Sequence, residues 1–304
     1  MRKIVVILNA TAGSVKDKEL TSRISKAFER NGAQARIEVA SGKQIAPIAQ
    51  AMRDEHYDVI VAAGGDGTVS TVASQIVAYD TVLGVLPMGT LNHFARDLGI
   101  PLDLEEAVAA VCLGEVSAVD VGSVNEKFFI NNSSLGLYAD QARLRQVWRP
   151  RVGRWLALIL ASIVTLSRYR FLRVTVELND KPISRRCPLV LVSNNEYKLE
   201  PGNLTQRKQL DGGALGLYML RDEGRMGLLR IALRSLVFNL EDVEGFEHDT
   251  AAKITITTRQ RRIRVALDGE AYKLAAPLRY RLVPRGLRVI TPQKPPGLNA
   301  DSNA

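Results

Sequence analysis

Apolar positions in the first 115 or so residues follow two alternating rhythms. Short apolar runs, "KIVVILN" (3–9), "ARIEVA" (35–40), "DVIVAAG" (58–64) and "TVLGVLP" (81–87), read as β-strands. Between them, 17–30, 44–54 and 67–78 carry apolar residues at helical spacing, and "DLEEAVAAVCLG" (103–114) adds another helix. Asp103 with Glu106 has the pattern of a capping box at the start of this last helix, and Gly114 suits its C-terminal end. Strand–helix alternation of this kind predicts a parallel sheet covered by helices on both faces.

From about residue 116 the pattern becomes strand-dominated: "KFFINNSSLG", "LRVTVELND", "PLVLVSN", "ALGLYML", "KITITT", "IRVALDGE", "LRYRLVP" and "LRVITP". Turn signals such as Asn179-Asp180 and Asp268-Gly269 separate several of them, which predicts antiparallel β-structure. Two helical inserts are expected to interrupt it, around 150–167 and 226–240, and the Pro-, Asn- and Ser-rich tail "PQKPPGLNADSNA" reads as disordered. No internal repeat is visible.

Composition narrows the class. The 304 residues suffice for two domains, and 46% hydrophobic with 24% charged residues is ordinary for a globular protein. Cys112 and Cys187 sit in apolar surroundings without a CxxC pattern and read as reduced core residues, while three scattered histidines argue against a zinc site. Met1-Arg2-Lys3 before "IVVIL" faintly imitates a signal peptide, but the apolar run is too short and a first strand is expected instead. The longest apolar stretch, "WLALILASIVTL" (155–166), has twelve residues, short of the ~18 to 20 that span a bilayer. A net charge of +9 favours an anionic partner: a nucleotide, nucleic acid or a membrane surface.

Candidate chemistry begins in "VIVAAGGDGTVSTVASQI" (59–76), where a strand breaks into Gly64-Gly65-Asp66-Gly67-Thr68 before a helix. Glycines there let a backbone approach a pyrophosphate, and the helix N-terminus supplies free N–H groups with a partial positive charge. The loop is neither GxGxxG nor a Walker A motif. Asp66 would repel phosphate oxygens unless a cation or a transferable proton lay between them, so it implies Mg²⁺ handling or base chemistry; the alternative is a turn aspartate capping the helix. In "LPMGTLNHFARDLGIP", Gly89 and Thr90 suit a phosphate or ribose contact and Asn92 stands near a helix start, where it could equally be a cap. "NATAGSVK", after the first strand, offers Asn9 and small residues. All three loops leave the carboxyl ends of strands, where open α/β sheets bind ligands.

Taken together, "NATAG" (9–13), "GGDGT" (64–68), "PMGTLNHFARDLGIP" (87–101), "FINNSSLG" (129–136), "LDGG" (210–213) and "LDGE" (267–270) resemble the diacylglycerol kinase catalytic-domain family of lipid kinases, in its soluble bacterial branch. The resemblance implies an α/β fold with an N-terminal parallel-sheet, NAD-kinase-like domain (1–122, with a return of the chain at about 284–295) and a C-terminal β-sandwich domain (123–283), ATP binding between them. It places Asn9, Ala10, Thr11, Ala12, Gly13, Ser41, Gly64, Gly65, Asp66, Gly67, Thr68, Val69, Ser70, Gly89, Thr90 and Asn92 at ATP. It places Asp211, with the carbonyls of Lys208 and Gly213, at Mg²⁺, and Glu270 at the general base. Departures from the family pattern include Ala10-Thr11 without the usual proline, Ser41 where threonine is commoner, His93 for a frequent aspartate and Gly213 after Gly212. Read without the family, Glu270 and Asp211 could each be a turn residue.

Between Gln141 and Val176 there are eight arginines and no acidic residue, flanking the apolar twelve-residue run and two tryptophans, Trp148 and Trp155. That composition suits the interface of an anionic membrane, engaged by 143–173; a buried interdomain helix with a basic flank is the competing reading. "RQRRIR" (259–264) is expected to be an exposed basic face. Nucleic acid binding fits the charge but not the 6% aromatic content or the absence of a reader motif. The expectation is an ATP- and Mg²⁺-dependent lipid kinase, cytoplasmic and peripherally bound to the membrane's inner face. An NAD kinase-type enzyme, or a silent nucleotide- or lipid-sensing protein, is the alternative.

Overall fold

A computed structural model describes residues 2–10, 17–136, 171–178, 181–198, 206–220 and 246–293. The expected helical inserts, the Asn179-Asp180 turn, residues 143–170 of the basic segment and the tail lie outside the described residues. Elements follow in the order Ile4–Asn9 (β1), Asp17–Arg30 (α1), Ala35–Ala40 (β2), Gly42–Asp54 (α2), Val59–Gly64 (β3), Asp66–Ile76 (α3), Val82–Pro87 (β4), His93–Asp97 (α4) and Leu104–Leu113 (α5). Strands then dominate: Glu115–Val124 (β5), Lys127–Phe129 (β6), Asn132–Gly136 (β7), Leu172–Leu178 (β8), Lys181–Cys187 (β9), Leu189–Asn194 (β10), Leu215–Leu220 (β11), Phe246–Ala251 (β12), Lys253–Thr258 (β13), Arg262–Leu267 (β14), Glu270–Ala275 (β15) and Leu278–Thr291 (β16). The chain divides into two compact units, Met1–Ala118 with Leu287–Ala304, and Val119–Gly286.

In the first unit β2, β1, β3 and β4 lie side by side and parallel, with Asn9 beside Ala40 and Gly64 beside Pro87. Every residue of β3 is buried, as a strand covered on both faces must be, whereas β2 at the edge is half-exposed. Helices α2 and α3 pack together, as do α1 and α5, giving a helical layer for each face. The apolar sides of these helices, Ile24 and Phe28 of α1, Ile45 and Met52 of α2, and Val72 and Ile76 of α3, are buried. Asp103 caps α5, its Oδ1 accepting the Glu106 N–H at 3.1 Å. Gly114 ends that helix with φ −71°, so its role is not the left-handed turn that glycine usually supplies. A Cβ there would stand 2.4 Å from the carbonyl oxygens of Ala110 and Thr291, so glycine lets α5 end against β16.

The second unit is antiparallel. One sheet runs β12-β11-β10-β7-β14-β15, and the N-terminal part of β16 pairs with β13, which pairs with β8, which pairs with β9. Their inner faces share one core: Leu135, Val190, Val192, Leu217 and Val265 from the first sheet meet Val174, Val176, Ile254, Ile256 and Tyr280 from the second. The antiparallel structure is the one that the strand pattern predicts, and its sandwich form is the one that the resemblance implies. Cys187 belongs to that core, but Cys112 on α5 is only half-buried; both are free thiols.

Candidate functional site

Because β1 to β4 are parallel, their carboxyl ends gather at one edge of the sheet, and each opens into a loop. Gly64 does not clear space for a ligand: a Cβ on it would fall 2.4 Å from Thr68 Oγ1, within the protein's own packing. Gly65 and Gly89 face each other, and a Cβ on Gly89 would stand 2.6 Å from Gly65 Cα. Two loops far apart in sequence are thereby joined backbone to backbone. Asn9 brings in the third, its Nδ2 donating to Thr68 Oγ1 at 2.8 Å. Ala10 is exposed and its N–H donates to Ala40 O at 2.9 Å; Thr11, Ala12 and Gly13 lie outside the described residues.

Asp66 is the first residue of α3 and half-buried. Its Oδ1 accepts one long hydrogen bond, from the Phe94 N–H at 3.4 Å, and so stands in as a weak cap for α4. Asn92, expected as that cap, adopts left-handed φ 50° and turns its amide back to Gly89. Oδ1 accepts the Gly89 N–H at 2.9 Å and Nδ2 donates to the Gly89 carbonyl at 3.1 Å, which closes the 89–92 turn on itself. At the head of α3 the N–H groups of Thr68 and Val69 both donate to Gly65 O. Those of Asp66 and Gly67 remain unpaired among the described residues, as donors at a positive helix end. Val69 is core, so only its backbone could meet a ligand, while Ser70 is half-buried and Gly89 and Thr90 are exposed. Ser41 opens α2, its N–H and Oγ donating to Gln44 Oε1 at 3.0 and 2.8 Å.

In the second unit Glu270 follows the two-residue turn Asp268-Gly269, both with positive φ (47° and 85°), as a tight hairpin between β14 and β15 demands. The Glu270 side chain is exposed and its Oε2 accepts from Tyr272 OH at 3.0 Å. Burial raises the Tyr272 phenol far above its ordinary range, and the Glu270 carboxylate adds to this, so the hydroxyl stays a donor. Asp268 points the other way. Its Oδ2 accepts the Ile130 N–H at 2.9 Å and its Oδ1 those of Asn131 and Asn132 at 2.8 and 3.0 Å. The hairpin tip is thus tied to the bend between β6 and β7.

Lys208, Asp211 and Gly213 lie on a segment fixed from several sides. Arg207 is buried and donates to the Ile130 carbonyl and to Asn131 Oδ1. The Lys208 N–H donates to Glu196 O at 3.0 Å, and its ammonium pairs with Glu196 Oε1 at 2.9 Å. Asp120, 2% exposed, accepts the Gly213 N–H at Oδ2 and the Arg285 N–H at Oδ1, both at 2.8 Å, and its own N–H donates to Leu210 O. Asp211 itself is exposed, and its carboxylate has no hydrogen bond or ion pair among the described residues. A carboxylate with two nearby carbonyls is an all-oxygen donor set of the kind hard divalent cations take, so these residues fit Mg²⁺. Among the described residues no group of three or more His, Cys, Asp or Glu could hold a metal by side chains alone.

Sequence reading misses Asp120, Arg207 and the inward role of Asp268. The available signal is the polar content of two strands that otherwise bury their residues: "NNSS" (131–134) and "SNN" (193–195), of which Asn131, Ser133, Ser134, Ser193, Asn194 and Asn195 are all buried. Buried polar positions call for partners: Asn131 meets Asp268 and Arg207, Asn194 Nδ2 reaches the Asp120 carbonyl and Ser133 pairs with Tyr280, while Ser134 Oγ and the Asn195 amide have none among the described residues.

Residues 3–124 match the sequence model of the diacylglycerol kinase catalytic domain. Over 281 residues, 89% of this chain and 90% of the relative, the chain is 27% identical to the diacylglycerol kinase of Bacillus subtilis (strain 168). Over residues 3–124 the chain is similar to the diacylglycerol kinase catalytic-domain family. The catalytic-domain match and the names of the relatives make it a kinase. A diacylglycerol kinase of Staphylococcus saprophyticus is 28% identical over 174 residues, 55% of either chain. The fold agrees as well: the crystal structure of a diacylglycerol kinase from Bacillus anthracis str. Sterne superposes with a TM-score of 0.71 at 21% identity, covering 95% of this chain and 97% of that one. Among the described residues, no helix is long and apolar enough to cross a membrane.

Proposed function

We propose that this protein transfers the γ-phosphate of ATP to the hydroxyl of a membrane lipid, with diacylglycerol the first candidate, in a Mg²⁺-dependent reaction. The observation that carries the proposal is the fused set of three loops at the carboxyl edge of the parallel sheet, with Asp66 at the head of α3 beside the unpaired N–H groups of Asp66 and Gly67. Residues 1–122 with about 284–295 act as the nucleotide domain, and 123–283 as the lipid and metal domain. Asn9 to Gly13, Ser41, Gly64 to Ser70, Gly89, Thr90 and Asn92 contact the nucleotide, the helix end holding phosphate oxygens.

Phosphoryl transfer asks little covalent chemistry of the protein; it needs positioning and neutralisation of charge. Mg²⁺, held by Asp211 and the carbonyls of Lys208 and Gly213, supplies positive charge and order when bound. Asp66 orients the terminal phosphates and shares the handling of the proton with Glu270. Exposed Glu270 accepts the proton of the lipid hydroxyl as its oxygen bonds to phosphorus and ADP leaves. The arginine-rich 143–173 segment supports docking on an anionic membrane face.

The test is transfer of label from γ-labelled ATP to lipids presented in mixed micelles with Mg²⁺, with Asp66→Asn and Glu270→Gln beside the wild type. A labelled lipid that each variant loses by about 10²-fold or more is expected. Transfer to NAD and to no lipid, or full activity in both variants, refutes the proposal.

A further inference from the structure

Asn195 follows β10 in a left-handed conformation, φ 65°, that asparagine tolerates and most residues do not. It is 1% exposed, and among the described residues neither Oδ1 nor Nδ2 has a hydrogen-bond partner. Its neighbour is only half bare: Asn194 Nδ2 donates to the carbonyls of Asp120 and Ile130 at 2.8 and 3.0 Å, and only its Oδ1 lacks a partner among the described residues. A buried amide left bare costs about 1–3 kcal/mol per group, and folded proteins relieve such groups with ordered water.

The amide lies directly beneath the loop of Asp211. Asn195 Oδ1 stands 2.9 Å from the point where a Cβ on Gly212 would be, and Gln209 Nε2 stands 2.6 Å from the same point. Glycine at 212 is therefore what lets Asn195 reach the loop backbone between Asp211 and Gly213. Gln209 is exposed. Mg²⁺ keeps several of its waters when bound by few protein ligands, and those waters need hydrogen-bond partners of their own.

We infer that Asn195 binds an ordered water that belongs to the hydration shell of the cation at Asp211, making Asn195 an outer-shell residue of that site. The inference rests on the Mg²⁺ reading of Asp211 proposed above. Its test is direct binding to the full chain: Mn²⁺ titration followed by EPR, with displacement by Mg²⁺, for wild type, Asn195→Ala, Asn195→Asp and Asp211→Asn. Asn195→Ala is expected to weaken Mn²⁺ about 10- to 100-fold, the usual effect of removing an outer-shell partner. Asn195→Asp, which keeps an acceptor at the position of Oδ1, retains binding. Wild-type affinity in Asn195→Ala together with a loss in Asp211→Asn overturns the inference and leaves the metal reading standing. Unchanged affinity in Asp211→Asn overturns both. Should Asn195→Ala not fold, a crystal structure of the wild type with Mn²⁺ decides: a water shared by Asn195 Oδ1 and the cation supports the inference, and a cation at Asp211 without one overturns it.

Discussion

Asp268→Asn separates two roles that the sequence cannot distinguish. If Asp268 only supplies a left-handed turn residue (φ 47°), asparagine, equally at home there, changes stability by roughly 0 kcal/mol. The structure gives a different figure. Three backbone N–H groups converge on the carboxylate, and Ile130, whose N–H meets Oδ2, is 1% exposed. An amide can keep its oxygen toward Asn131 and Asn132, but then its NH₂ faces the Ile130 N–H, and a buried donor loses its acceptor at about 1–3 kcal/mol. The two bonds that survive pass from a charged to a neutral acceptor, at about 1 kcal/mol each. The expected destabilisation is about 3–5 kcal/mol, with Asp268→Gly larger because it keeps the turn and loses all three bonds. Since the chain has two compact units, urea unfolding is best paired with a local readout, hydrogen exchange at residues 130–132. Unfolding of Asp268→Asn within 1 kcal/mol of wild type, with unchanged protection at those amides, would refute the reasoning.

Two further outcomes follow from packing and titration. Gly89→Ala puts a Cβ 2.6 Å from Gly65 Cα, where both sides are backbone, whereas Gly65→Ala meets Gly89 Cα at 3.2 Å. The first is expected to cost about 1–3 kcal/mol and to weaken ATP by prising the two loops apart, the second distinctly less; isothermal titration and thermal unfolding of both read the difference, and equal behaviour contradicts the packing account. Burial, with the Glu247 carboxylate adding to it, pushes the Cys187 thiol from its ordinary 9.0 up to about 11. Folding favours the protonated thiol, so this contribution is whole below pH 9 and is lost as pH rises through about 11, a change on the order of 3 kcal/mol. The fall in urea midpoint from pH 8 to pH 11 should be steeper in wild type than in Cys187→Ala, and an identical fall counts against burial as the cause.

The parallel half of the fold is legible because β1, β3 and β4 are buried nearly throughout and each helix has one apolar face. The helix expected at 17–30 and the strand at 35–40 are found at those bounds, and α2 differs only in starting at Gly42 rather than 44. The antiparallel half is less so, for identifiable reasons. Strand β9, "KPISRRC", buries only its last residue, and "FEHDTA" of β12 borders only β11; edge strands hide little surface and so carry no apolar alternation. "KFFINNSSLG" reads as one strand but breaks at Ile130-Asn131, where the Asp268 carboxylate takes the N–H groups a neighbouring strand would take. Conversely "LRYRLVP" and "LRVITP" form the single strand β16, which runs on through Arg285 at φ 49°. At the candidate site, the gathering of three loops on one sheet edge is readable from strand–helix order. The purpose of the glycines is not: the space beside Gly64, Gly65 and Gly89 is taken by the protein itself.

Hydrogen-bond saturation sorts the carboxylates of this chain better than motif membership does. Asp120 and Asp268 sit near glycines, as Asp66 and Asp211 do, and in sequence all four look alike. In the structure Asp120 has both oxygens bound to backbone N–H groups and Asp268 gathers three. A proton or a cation there would share these carboxylates with the backbone N–H groups they hold in place. Asp66 carries one bond of 3.4 Å, Glu270 accepts from a tyrosine at the surface, and Asp211 has no partner among the described residues. Those three retain lone pairs for chemistry. The division implies that charge-removing substitutions should fall into two classes, loss of stability at Asp120 and Asp268 and loss of transfer with stability kept at Asp66, Asp211 and Glu270. A carboxylate that crossed from one class to the other would show that unspent hydrogen-bonding capacity is not what marks the reactive groups.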